Sequence, residues 1–200
     1  MTIVEDRPAA GHETARKAMI DSQLRTSGVN AEFVLRRMGA VARERFVPAS
    51  ARGFAYIDRA IALGDGRYLA APVVQGMMLQ EARPTAADKA LLVDGGSGYL
   101  AELLRPLVGS LEVVAPADAA AKSRKGDFTL LIIDGAIEQL PDALAGRLAD
   151  AARVVTGLVE DGITRLAIGR KAAGAVTLLP LAELGIPVLP EFAAPKRWSF

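Results

Sequence analysis

Asp94, Gly95, Gly96, Ser97, Gly98 and Tyr99 follow the apolar run Leu91-Leu92-Val93 and precede the helix-forming stretch Leu100-Ala101-Glu102-Leu103-Leu104. Glycines let a chain turn tightly and come close to a ligand, and the free N–H groups of a helix start offer donors to an anionic or polar group. A glycine turn between a strand and a helix is thus a nucleotide cradle, with Asp94, Gly96, Ser97, Gly98 and Tyr99 as its candidate ligand residues. A second candidate is Asp134, which ends the apolar run Leu130-Leu131-Ile132-Ile133. Ligands of open α/β sheets bind beyond the carboxyl ends of the strands, where this acid would stand. The alternative role for Asp134 is to cap the turn through Gly135.

The elements that must hold these residues are legible as a change of texture at residue 88. Beyond it, apolar runs alternate with amphipathic stretches, which predicts a mostly parallel sheet with helices on both faces. Strands are expected at 89–94, 110–115, 128–134, 152–159, 163–169 and 175–181, and helices at about 97–108 and 139–151. Glu160-Asp161-Gly162 is a tight turn that makes strands four and five an antiparallel pair at the sheet edge. Before residue 88 the chain reads as helical over 13–64, with Ala15, Met19, Gln23 and Leu24 at helical spacing and Asn30 as a cap ahead of Phe33-Val34-Leu35 and Met38. A further helix is expected over 72–83, opened by Pro72, with Met77-Met78 filling core. The organisation is a leader over 1–12, a helical region over 13–87 and an α/β domain over 88–200, the last two forming one compact unit. The tail from Pro187 to Phe200, ending Trp198-Ser199-Phe200, reads as an extended segment laid on the surface.

Composition removes whole classes of chemistry. The 200 residues are 51% hydrophobic, enough for a full core. Lys and Arg number 24 against 23 Asp and Glu, a net charge of +1 that gives no electrostatic footprint for nucleic acid. No apolar run reaches the length of a membrane span, and the start of the chain lacks the basic-then-apolar order of a signal peptide, so a cytoplasmic protein is expected. With no Cys and the single His12 in the leader, cysteine nucleophiles and His-dependent triads are excluded, and no metal site is expected.

Several blocks together resemble the protein-L-isoaspartate O-methyltransferases. They are Met19 to Arg25, Val29, Val34-Leu35, the run Val41-Ala42-Arg43-Glu44-Arg45-Phe46-Val47-Pro48, Ala55-Tyr56-Ile57-Asp58, Pro72 and Gly96-Ser97-Gly98-Tyr99, continued by Ile132 to Ala136. The run ending in Pro48 is far more specific than the glycine turn, because such turns recur in many nucleotide folds. The resemblance implies a three-layer Rossmann-like class I methyltransferase fold, S-adenosylmethionine as methyl donor, and a protein or peptide substrate methylated at a damaged aspartyl carboxylate.

The chain departs from the family's pattern at four places. The glycine motif is one residue short, so either Asp94 replaces the first glycine or a residue has been lost beside it. Ala70 stands at the family's substrate serine, two residues before Pro72, and cannot offer a hydroxyl. Only 29 residues, 99–127, separate Gly98 from Phe128; once a helix and a strand are placed, the remaining 12, residues 116–127, suffice for a single crossover. The sheet is therefore expected to lack one edge strand and its helix. The ribose-binding acid should end the second strand, where Val113-Val114-Ala115-Pro116 has none; Asp118 is the better candidate and Glu112 the poorer, each otherwise a solvated surface acid. Three readings follow: a carboxyl methyltransferase of weak or lost activity, a catalytically silent relative kept for binding or assembly, and a dinucleotide oxidoreductase, since Gly96, Gly98 and Ala101 also fit the Rossmann fingerprint.

Overall fold

The computed structural model describes residues 7–121 and 126–195. The chain begins with α1 (Arg7–Met19), which widens into a π-helical turn over Ile20–Leu24 and closes with a 3-10 turn to Ser27. After α2 (Glu32–Ala40) come two 3-10 turns, Arg43–Phe46 and Ala49–Phe54, then the hairpin β1 (Ile61–Gly64) and β2 (Arg67–Leu69). α3 (Pro72–Ala82) leads into β3 (Lys89–Val93), α4 (Tyr99–Leu104), β4 (Ser110–Val114), α5 (Pro116–Ala121) and β5 (Phe128–Ile137). The one-turn α6 (Asp142–Ala145) precedes the meander β6 (Leu148–Glu160), β7 (Ile163–Ala172) and β8 (Ala175–Glu183). No described helix is long and apolar enough to cross a membrane.

The main sheet has six strands in the order β4-β3-β5-β6-β7-β8. β4, β3, β5 and β6 are parallel, and β7 and β8 are added antiparallel. This is the expected methyltransferase sheet, and among the described residues no strand lies beyond β4, which forms the edge. Alternate residues of β3 and β5 serve opposite faces because side chains in a strand point alternately up and down. Ala90, Leu92, Leu130 and Ile132 join the large core beneath α2, α3 and α4. Leu91, Val93, Leu131 and Ile133 face a thinner layer made by Ala119, Leu144, Leu189 and Phe192.

Three expectations are corrected. Residues 61–69 are a hairpin rather than the end of a helical region, because Asp65 and Gly66 both take left-handed conformations, φ 50° and 72°, and make the two-residue turn that antiparallel strands favour. Residues 139–151 form one helical turn, not a full helix: Leu148 already pairs with Phe128 at the start of β6, and Leu144 is buried under the sheet, so tertiary burial overrides helix propensity. Asn30 does not cap α2; the Gln80 side-chain oxygen accepts the N–H groups of Asn30 and Ala31 instead, at 2.9 and 3.0 Å. The segment after β8 lies along the end of β5, with Ala136 N–H donating to Pro187 O and Leu189 N–H to Ala136 O. Trp198 to Phe200 and residues 1–6 of the leader fall outside the described residues, and residues 7–12 form the first turns of α1.

Candidate functional site

The glycine turn opens where β3 stops. Asp94 N–H still donates to Val114 O at 3.0 Å, and β3 pairs with β4 and β5 without a register shift, so the shortened motif leaves the ladder intact. Gly95 lies against β5 so closely that a Cβ there would stand 2.3 Å from Asp134 O. The next residues turn back over the strand end, and the Asp94 carboxylate reaches into the turn it begins. Gly96 N–H donates to its Oδ2 at 3.1 Å, and Gly98 N–H to its Oδ1 at 3.0 Å. Ser97 Oγ accepts Tyr99 N–H at 3.1 Å. The donors that a nucleotide cradle presents are here engaged by the turn's own side chains. Burial pushes the Asp94 carboxyl up, and the two backbone bonds and Arg67 pull against that.

Arg67, on β2, roofs this turn. Its stem lies on Gly96, where an added Cβ would meet Arg67 carbons at 3.1 Å. Its guanidinium pairs with Glu191 in the 3-10 turn Pro190–Phe192, and that pairing holds the Glu191 carboxyl low. Phe192 anchors the same turn in the thin core layer, so hairpin and tail are stapled across the mouth of the cradle.

Asp134 is buried beside the turn, 5% exposed, and Gln75 Nε2 of α3 donates to its Oδ2 at 3.0 Å. Burial, and then the charge of Asp94, push the Asp134 carboxyl up to about 7. Gln75 turns its oxygen to Arg43, whose Nη1 donates at 2.7 Å. Arg43 is fully buried; its Nε donates to Ala55 O at 2.8 Å, its Nη2 to Ala70 O, and its guanidinium lies 4.9 Å from the centre of the Tyr99 ring. Tyr99 is equally buried and meets Phe46 edge-on. Its side chain belongs to the core behind the cradle, and only its backbone faces the turn.

Ala70 is buried with its carbonyl held by Arg43, and Pro72 is the first residue of α3. Asp118 is exposed on α5. Glu112 is committed to Arg147, Nη2 to Oε1, at 2.6 Å. The structure thus brings Asp94, Gly96, Ser97, Gly98 and Asp134 to one end of the sheet, carries Ala70 and Pro72 beside them through Arg43 and Gln75, and sets Asp118 past the end of the β4 edge. The positioning residues Arg43, Gln75, Arg67 and Glu191 had no role from the sequence. Only Arg43 carried a signal, its place in the specific run ending in Pro48.

The model of the protein-L-isoaspartate(D-aspartate) O-methyltransferase family matches residues 14–121. A protein-L-isoaspartate O-methyltransferase of Koribacter versatilis is 31% identical over 189 residues, covering 82% of this chain and 85% of its own. Protein-L-isoaspartate O-methyltransferase 2 of Anaeromyxobacter sp. is 29% identical over 181 residues, 78% of this chain and 74% of its own. Among solved structures, a Plasmodium falciparum chain described as a protein-L-isoaspartate O-methyltransferase in complex with S-adenosyl-L-homocysteine superposes with a TM-score of 0.71, covering 90% of this chain and 98% of its own at 16% identity, a likeness of fold. Matched over more than half its length, and over most of both chains by the Koribacter relative, this chain belongs to the protein-L-isoaspartate(D-aspartate) O-methyltransferase family.

Proposed function

We propose that the chain is a divergent protein-L-isoaspartate O-methyltransferase-like protein in which carboxyl methyl transfer is weak or lost. The observation that carries this reading is the Asp94 carboxylate, which takes the N–H groups of Gly96 and Gly98. S-adenosylmethionine is the methyl donor that family membership brings, and the relative complexed with S-adenosyl-L-homocysteine supports it. That donor supplies a methyl group already activated on a sulfonium, so the protein's task is to bind and orient. Gly96, Ser97, Gly98 and Tyr99 would hold it once the Asp94 carboxylate leaves the turn. On the ribose side only the exposed Asp118 is within the right segment.

On the acceptor side, a hollow of about 430 Å³ opens beside Ala71, with Asp58, Arg59, Val74, Leu184 and Gly185 around it. It suits an extended stretch of a protein or peptide acceptor, in a cytoplasmic setting. Ala70 beside it gives no hydroxyl to orient a carboxylate, which lowers the rate further. A catalytically silent role in binding or assembly is the second reading, and the Arg67–Glu191 pair closed over Gly96 favours it. The dinucleotide oxidoreductase reading loses its ground, because the glycine turn lies inside the segment matched to the methyltransferase family.

Titrating the protein separately with S-adenosylmethionine and S-adenosylhomocysteine, then measuring radiolabelled methyl transfer to isoaspartyl and aspartyl peptides, tests the reading. Micromolar binding with slow transfer to the isoaspartyl peptide supports a weakened enzyme. No binding at millimolar ligand leaves the silent role. Transfer at the rate of an active family member overturns the proposal.

A further inference from the structure

The helical layer stops one strand short of the sheet edge. α3 packs over β6 and β7. On that face the row Val155, Ile168 and Leu179 crosses β6, β7 and β8. Val155 is buried and Ile168 packs against the core beneath α3, whereas Leu179 is 61% exposed, the highest value for a large apolar side chain among the described residues. The step leaves a groove of about 440 Å³ between the end of α3 and β8. Val155, Ile168 and Leu179 form its floor, and Glu81, Arg83, Arg153 and Arg170 stand around it.

The charges around this floor are unequally matched. Arg153 is engaged, its Nη2 donating to Asp88 at 2.7 Å and its Nε to Ala82 O at 3.2 Å. Arg83, at the left-handed end of α3, and Arg170, on β7, are exposed and have no carboxylate partner among the described residues. Glu81 is the sole carboxylate lining the groove, against these two unpaired guanidiniums. An occupant must therefore bring apolar side chains for the floor and carboxylates for the rim. It must also lie on the face: Pro180 interrupts the N–H row of β8, so a strand added along the edge would lose its ladder there.

We propose that this groove docks an acidic amphipathic helix of a protein partner, with an apolar stripe set on Val155, Ile168 and Leu179 and flanking carboxylates on Arg83 and Arg170. The β6 member of the floor, Val155, pairs with Ile132, ahead of Asp134, and so lies away from the glycine turn at the strand ends. Docking is independent of whether methyl transfer survives.

The probe is a fluorescein-labelled peptide of about four helical turns with Leu on one face and Glu flanking it, read by anisotropy at low and high salt. Binding should weaken at least tenfold in Leu179→Ser and in the Arg83→Glu, Arg170→Glu double variant, all at exposed positions, with circular dichroism confirming the fold. The double variant should instead prefer the same peptide carrying Lys for Glu. Equal affinity for the Glu and Lys peptides on the wild type, or affinity unmoved by these substitutions, overturns the proposal. So does a dimer in sedimentation that Leu179→Ser disperses, which would give the face to a second copy of the chain.

Discussion

Replacing Asp94 with glycine removes the carboxylate from the cradle and asks directly whether it blocks the donor. In the wild type a ligand that needs the Gly96 and Gly98 N–H groups must first break two bonds to a charged acceptor. Each such bond is worth about 1.5–3 kcal/mol, so displacement costs about 3 kcal/mol at the low end. A glycine at 94 loosens the turn by roughly 0.5–1 kcal/mol, leaving a net gain for the ligand of about 2 kcal/mol. S-adenosylhomocysteine should therefore bind about thirtyfold more tightly to Asp94→Gly than to the wild type by isothermal titration. The variant itself should be less stable by about 3 kcal/mol, having lost both bonds from the turn's N–H groups to the Asp94 carboxylate. Ala70→Ser belongs in the same experiment. Alone it should leave methyl transfer unchanged where no donor is bound, whereas added to Asp94→Gly it should raise transfer to an isoaspartyl peptide tenfold to about a hundredfold, the worth of one positioned hydrogen bond to a charged group. A folded Asp94→Gly protein that binds the ligand no better than the wild type would refute the closed-cradle argument.

Burial raises the Asp134 carboxyl from 3.8 to about 7, so the folded chain holds that proton more tightly than the unfolded one; its stabilisation is full below about pH 4 and is lost as pH climbs through 7, at most about 4 kcal/mol. Asp134→Asn should flatten this slope and be the more stable protein at pH 8, measured by urea unfolding at pH 5 and pH 8. Arg67→Ala should shift stability by less than about 1 kcal/mol, because its ion pair with Glu191 is partly exposed, yet should speed amide exchange of Gly96 to Tyr99 as the roof is removed. Gly95→Ala should destabilise by about 2–4 kcal/mol in thermal unfolding, since its Cβ would meet Asp134 O with no flexible side chain to yield.

The parallel half of the sheet was legible because its strands are buried on both faces and read as continuous apolar runs; Leu91 to Val93 and Leu130 to Ile133 are all fully buried. Asp161 and Gly162, with φ 53° and 77°, make the hairpin turn their residue types announce. Residues 139–151 misled because alanine, leucine and aspartate satisfy a helix pattern, while the pairing of Leu148 with Phe128 depends on a strand twenty residues away. In the site, Asp94 could be singled out from its place at a strand end, and Asp134 from its place after the apolar run Leu130 to Ile133, where the ladder with β3 stops although β5 runs on to Ile137 rather than ending at residue 134 as expected. What joins them to the rest could not: Gln75 is a polar residue on an otherwise apolar helix face, Glu191 sits in a tail that reads as surface, and the meaning of each lies in a partner 59 and 124 residues distant.

The persistence of the family run around Arg43 has a physical cause separate from catalysis. A buried guanidinium that bonds Ala55 O, Gln75 and Ala70 O and lies over Tyr99 ties the 3-10 turns, the loop before α3 and the start of α4 to one point. Removing the Gln75 oxygen from the buried guanidinium costs about 1.5–3 kcal/mol, the worth of one hydrogen bond to a charged group and a large part of a domain's stability. Selection for folding alone is enough to retain it. Ala70 stands under no such demand, since it gives the cluster only its carbonyl, and Asp94 lies outside the cluster. Substitution at residues 70 and 94 can therefore alter chemistry while the frame stays recognisable, and likeness over residues 14–121 is evidence for that frame, whereas the activity has to be judged at those two positions.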